Sequence, residues 1–347
     1  MFYRLETDGA RQEVQLKNFY SGSNSSACWI IGGGVSLREL PIDLIRNSPL
    51  PKFGMNLAGS GLLRPNFWTS YDPTARFHRS IYLDPSIVKF LHRSRAMDLV
   101  PESTAKVCDC PATLFFDRSR ENSFQDFLQP QENLLPDWQD SFLQTIQIAY
   151  QLGFRRLYLA GCEMFISPTE QQLQLAEKHD VHYEKNELLK SFVERCYQAG
   201  IKKSELESIN SGAQYHFDES KELGATIQTD FHYFRVAQYL RLARKALALS
   251  GLQIVSVTPS SRLNDYFRYQ SIETTVSEIQ SDIGDPVLES TRGLYTGKLD
   301  RTPLALGPMR DFKPHFTAPK EQLVRPQPDP RKVIDLPEVP VYLNENP

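Results

Sequence analysis

Three consecutive glycines, Gly32, Gly33 and Gly34, follow the apolar run 28–31 and lead into Ser36 and a helix-like pattern. Glycine costs conformational entropy and is useful mainly where the backbone needs positive φ or close approach to another group. N–H groups at a strand-to-helix turn carry partial positive charge and want acceptors, so this turn is a candidate phosphate cradle. Two phosphate-binding patterns are excluded by spacing. The dinucleotide fingerprint would require glycine where Leu37 stands, and no glycine precedes Lys-Ser/Thr as a P-loop demands. Ser36 and Glu39 also have the S-x-x-E spacing of a capping box, so Ser36 reads either as a phosphate contact or as a cap.

Other residues able to do chemistry are scattered. His179 and His182, with Asp180 and Glu184 nearby, suggest a metal, but the segment lacks H-E-x-x-H and is strongly polar, so it reads as a solvated face. Five cysteines, Cys28, Cys108, Cys110, Cys162 and Cys196, give no disulfide framework, and C-x-C at 108–110 is neither a redox nor a zinc spacing.

To bring such residues together the chain needs a scaffold, and the pattern predicts an α/β fold: a mainly parallel, doubly wound, Rossmann-like sheet covered by helices. Segments 28–32, 52–56, 66–71 and 80–83 read as strands, whereas 85–93 and 112–116 read as helical. The unit 137–161 predicts a helix with an Asp cap, closed by Gly153, and then a buried strand. Residues 163–228 read as a helical lid insertion, and 231–257 as a second helix–strand unit. Residues 1–26 read as a flexible lead-in, 27–300 as the α/β domain, and 301–347 as an extended, Pro-rich tail. On this reading Gly32–Ser36, Asn56, Asp72, Glu163, Thr258, Ser260 and Ser261 all fall just after strands, where open α/β sheets bind ligands. Each also has a plain reading as a turn residue.

In this setting "IIGGGVSLREL" resembles the first motif of family 42 bacterial sialyltransferases and of their relatives, the flagellin-glycosylation accessory proteins and hydroxymethylpterin diphosphokinase-like proteins. "FGMNLAG" is similar to their strand ending in Asn, "FWTSYDP" to the next, "LYLAGCEMF" to the strand leading to G-x-D-F/Y, and "GLQIVSVTPSSRL" to a late strand and turn. Val35, Glu163 and Ser256 depart from the usual Pro, Asp and Asn. The resemblance implies a glycosyltransferase that binds a nucleotide-sugar, of the CMP-sugar type, and passes the sugar to a hydroxyl acceptor on a glycan. It also implies a general base near His216, whose aromatic-flanked setting, "AQYHFDE", equally suits a packed structural histidine; His232 has similar neighbours. Glu163 is the second catalytic candidate. No cofactor beyond the donor is required on this reading.

Two rivals stand beside it. A diphosphokinase-like enzyme would transfer pyrophosphate from ATP and use Mg²⁺ on Asp72 and Glu163; a non-catalytic nucleotide-binding or assembly protein could share the fold. Composition narrows the partners. A formal charge of -3 from 39 basic and 42 acidic residues gives no overall footprint for nucleic acid or an anionic membrane. No apolar stretch is long enough to span a bilayer and no signal-peptide grammar opens the sequence, so a cytoplasmic protein is expected, its oligomeric state left open.

Overall fold

The computed structural model describes residues 1–283 apart from 7, 22–25, 59–60, 120–123, 125–126, 129–133, 185–186, 210–213, 215 and 217–220. The expected tail, 301–347, lies outside the described residues. The chain runs through β1 (Phe2–Leu5), β2 (Arg11–Val14), β3 (Ala27–Ile31), α1 (Ile42–Asn47), β4 (Lys52–Met55), β5 (Phe67–Thr69), α2 (Arg79–Leu83), β6 (Val88–His92) and β7 (Thr113–Phe116). It continues through β8 (Arg118–Ser119), β9 (Leu135–Pro136), α3 (Ser141–Leu152), β10 (Arg156–Ala160), α4 (Glu170–Glu177), α5 (Leu189–Gln198) and α6 (Lys203–Ser208). The long α7 (Leu223–Leu249), β11 (Gln253–Ser256), β12 (Arg268–Tyr269) and α8 (Ile272–Ile283) follow.

Among the described residues ten strands form one sheet in the order β12-β11-β10-β3-β4-β5-β6-β7-β1-β2, parallel from β12 to β7. The fold is thus α/β with a mainly parallel sheet. Parallel strands are covered on both faces, which is why β3, β4, β5 and β7 are buried along their whole lengths. The chain builds outward from β3 through β4 to β7, then returns to add β10 on the other side of β3. That reversal opens a crevice beyond the carboxyl ends of β3 and β10.

Helix α3 forms as its sequence dictates. The Asp140 carboxylate accepts from the Leu143 N–H, and Gly153, at φ 109°, ends the helix in the left-handed region. Helices α4 to α6, within the segment expected as an insertion, gather a satellite core around Ile166, Leu189, Phe192, Leu206 and Leu223.

Four expectations are corrected. Residues 80–83 belong to helix α2, whose first turn is capped by the His78 imidazole accepting from the Ser80 N–H at 3.2 Å. Conversely, 88–92 and 113–116 are strands; short apolar runs buried in a sheet carry no periodicity to separate them from helix. Within the expected lead-in, Phe2–Leu5 and Arg11–Val14 are not flexible coil: they are β1 and β2, an antiparallel hairpin on the sheet edge. Its polarity belongs to the exposed outer strand β2, while Phe2 and Tyr3 are buried.

Phe2 packs edge-on against Phe90 at 5.0 Å and is 2 % exposed. Phe2→Ala is therefore expected to lower unfolding free energy by about 3–5 kcal/mol in a urea melt. A flexible leader would leave the melt unchanged.

Candidate functional site

The crevice is a cavity of about 330 Å³ lined by the β3 turn (Gly32, Gly33, Gly34), by Asn56, Asp72, Glu163 and His216, and by residues of α3 and α7. The sites expected at four strand ends and His216 are thereby brought together. Its two central turns are zipped to each other: the Gly32 N–H donates to the Ala160 carbonyl at 2.8 Å and the Gly34 N–H to the Gly161 carbonyl at 2.9 Å.

Close packing explains the three glycines. A Cβ on Gly32 would strike the Gly161 carbonyl, one on Gly33 the His216 imidazole, and one on Gly34 the Glu163 carboxylate. The backbone is bare here because the protein's own groups lie against it. The turn opens only a four-residue 3-10 segment, Val35–Arg38, with Gly34 at its cap position and no side-chain cap. Ser36 is therefore inside the turn and does not cap it. Its N–H donates to Glu163 Oε1 at 2.7 Å. The place where the cradle reading puts phosphate holds a carboxylate of the protein itself, and the amides of Gly32, Gly34 and Ser36 are already engaged.

Glu163 is buried, 7 % exposed. Desolvation pushes its carboxyl above the usual range, partly offset by hydrogen bonds from Ser36 and reinforced by the charge of Glu39. His216 is driven the other way, to about 3: burial disfavours its cation first, and the charges of Arg76, Lys221 and Arg38 add to this. It is a neutral imidazole at ordinary pH, pressed on Gly33.

Asn56, just after β4, sits in the left-handed region, φ 50°. Its Oδ1 accepts from Ser70 Oγ at 2.6 Å and Ser141 Oγ at 2.9 Å, which fixes the amide plane. Asp72 pairs with Arg76 at 2.8 Å, and its N–H donates to Ser70 Oγ at 3.0 Å. Opposite, His232 on α7 donates from Nε2 to Asp140 at 2.9 Å, because its Nδ1 faces the Arg235 guanidinium, which can only donate. Tyr71 lines the cleft with the Arg118 guanidinium 4.1 Å over its ring.

Thr258, Ser260 and Ser261 are not among the cleft-lining residues. Thr258 Oγ1 accepts from the Cys162 N–H at 3.2 Å and Ser261 Oγ donates to the Cys162 carbonyl at 2.6 Å, so both brace the β10 turn from behind; Ser260 is exposed. Asp140, Ser141, Arg76, Tyr71 and Lys221 were not legible as site residues. Asp140 announced itself only as a helix cap; the others gave no signal. His179 and His182 are exposed, and among the described residues no group of three potential ligands converges on a metal position. All five cysteines are free thiols whose pKa burial pushes upward.

The fold and cleft define an α/β protein with a ligand-sized crevice at the reversal of strand order. Comparison with family models, curated proteins and solved structures returns no match.

Two outcomes follow. Gly34→Ala is expected to destabilise the protein by driving a methyl into Glu163, and Glu163→Ala to relieve it, giving a coupling of about 0.5–3 kcal/mol in a double-mutant melt. Independent, additive losses would mean the two residues do not meet. For His216 the folded pKa lies below the ordinary 6.5, so unfolding takes up a proton at pH values between about 3 and 6.5. Its contribution is complete above pH 6.5 and is lost as pH falls, at up to about 1.4 kcal/mol per pH unit. Glu163 opposes this slope below its own raised pKa. The stability difference between parent and His216→Gln should therefore shrink on acidification; a difference flat from pH 7 to 4 would show that His216 titrates normally.

Proposed function

We propose that this chain is a glycosyltransferase-like enzyme of Rossmann-like, doubly wound type, binding a nucleotide-sugar, cytidine type first, and passing the sugar to a hydroxyl acceptor. The observation that supports it is the convergence of Asn56, Glu163 and His216 on one cleft at the β3–β10 crevice. The motifs that resemble the sialyltransferase group supply Asn56 and Glu163, and His216 stands where that resemblance implies a general base.

The chemistry would be a direct displacement. The acceptor oxygen attacks the anomeric carbon, the glycosidic bond to the nucleotide phosphate breaks, and the acceptor proton passes to a base. Glu163 lines the cleft and is assigned that role, with desolvation raising its proton affinity above that of an ordinary carboxylate. His216, held near 3 chiefly by burial and then by the cations around it, is too weak a base in the free protein. Arg76 and Lys221, both on the cleft wall, would stabilise the departing phosphate in place of the glycine turn. Asn56, with Oδ1 pinned by two serines, offers Nδ2 as an oriented donor to the nucleotide.

A thermal-shift titration tests the reading. Cytidine monophosphate without added divalent metal should raise the melting temperature, by about 2.7 kcal/mol of added stability at one hundred times Kd. Asn56→Ala should weaken this response about fivefold or more, as expected for one lost hydrogen bond. A response confined to ATP with Mg²⁺ would favour pyrophosphate transfer, and silence towards every nucleotide would overturn nucleotide binding altogether.

A further inference from the structure

Helix α7 carries a feature that the cleft does not use. From 231 to 249 it holds Arg235, Arg241, Arg244 and Lys245 and no acidic residue; the helix's one acid, Asp230, is buried at 1 % exposure. Phe231, Arg235, Gln238, Leu242, Lys245 and Leu249 recur at alternating steps of four and three, which on a helix is one straight stripe. It lies opposite the face that Val236, Leu240, Ala243 and Leu247 bury in the core. The stripe itself faces outward: Phe231 is 46 % exposed, Leu242 54 % and Leu249 80 %, and Arg235, Arg241 and Lys245 are exposed beside them. It runs for about 27 Å along a single rigid element.

Large apolar side chains left in water in one line, with cations between them, mark a contact surface. The charge identifies the partner. Pairing with a second copy along this stripe would set Arg235 against Lys245 in the antiparallel arrangement and each cation against itself in the parallel one. With no acid on the stripe to answer them, self-association is disfavoured. A flat anionic surface satisfies both components at once, taking the leucines and the phenylalanine into its acyl boundary while the arginines and lysine meet its headgroups.

We infer that the outer face of α7 docks the protein on an anionic phospholipid surface. This inference is independent of what the cleft binds. The whole-chain charge of -3 conceals it, because the acids that balance these cations lie elsewhere in the sequence.

Vesicle co-sedimentation of the full chain tests it. Binding is expected to vesicles containing roughly a third phosphatidylserine and not to pure phosphatidylcholine, and to weaken steeply as salt rises. Arg241→Glu with Lys245→Glu should reduce the bound fraction about tenfold or more. Leu242→Ser with Leu249→Ser should also reduce it, with an unchanged melting temperature because these side chains are exposed. Equal binding to both vesicle types, binding to neither, or parent-like binding by both double variants would overturn the inference. So would a dimer in sedimentation velocity that the leucine variant abolishes, which would make a second copy the occupant.

Discussion

A carboxylate laid against bare backbone sets the geometry of the cleft. Glu163 occupies the space over Gly34 that any side chain there would claim, and it is tied to the next turn by the Ser36 N–H. A buried carboxylate without a hydrogen bond would be costly, so Glu163 and the turn after β3 are mutually dependent. The glycines are required by what the fold itself packs on them: a carbonyl, an imidazole and a carboxylate in succession. The turn's amides of Gly32, Gly34 and Ser36 are thus already spent on the protein's own carbonyl and carboxylate oxygens.

The loop bearing Glu163 is held from the rear with equal thoroughness. Arg262 donates its backbone N–H to the Glu163 carbonyl at 2.8 Å and its guanidinium to the Met164 carbonyl at 2.6 Å. Asp230 accepts from the N–H groups of Ile166 and Leu189, both at 2.9 Å, joining the loop to the satellite helices. Met164 sits at φ 56°, a conformation unfavourable for a side chain of its kind, and persists because these bonds leave it no alternative. Polar residues following β11 thus brace the β10 turn and do not line the cleft.

Much of this scaffold was legible because it rests on local chemistry. The glycine turn, the capped helix 141–152 closed by Gly153, and strands β3, β4, β5, β10 and β11 each carry their signal within a few residues. Strands β6 and β7 did not, since their short apolar runs carry no alternation that distinguishes strand from helix, and no glycine or capping signal beside them decided it. Convergence of Asn56, Asp72 and Glu163 could be anticipated from their place after strands, but the same rule also points to Thr258, Ser260 and Ser261, which do not line the cleft. Their hydroxyl groups follow a strand too, and only the direction of each side chain decides whether it meets ligand or loop. His232 and Asp140 lie far apart in sequence and meet through the packing of α7 against α3, a relation no local pattern encodes.

The strand order also governs how the molecule must come into being. Ala27 of β3 pairs with Arg156 of β10, so the middle of the sheet joins the beginning of the chain to a segment synthesised much later. The wing from β3 to β7, together with its terminal hairpin, emerges before that partner exists, leaving Trp29, Ile30 and Ile31 along an open hydrophobic edge. Closing the crevice is therefore a late, long-range event on the ribosome or after release, and slow pairing of this kind is where parallel sheets are most exposed to aggregation. The same seam that creates the cleft is the point at which the nascent protein most needs protection.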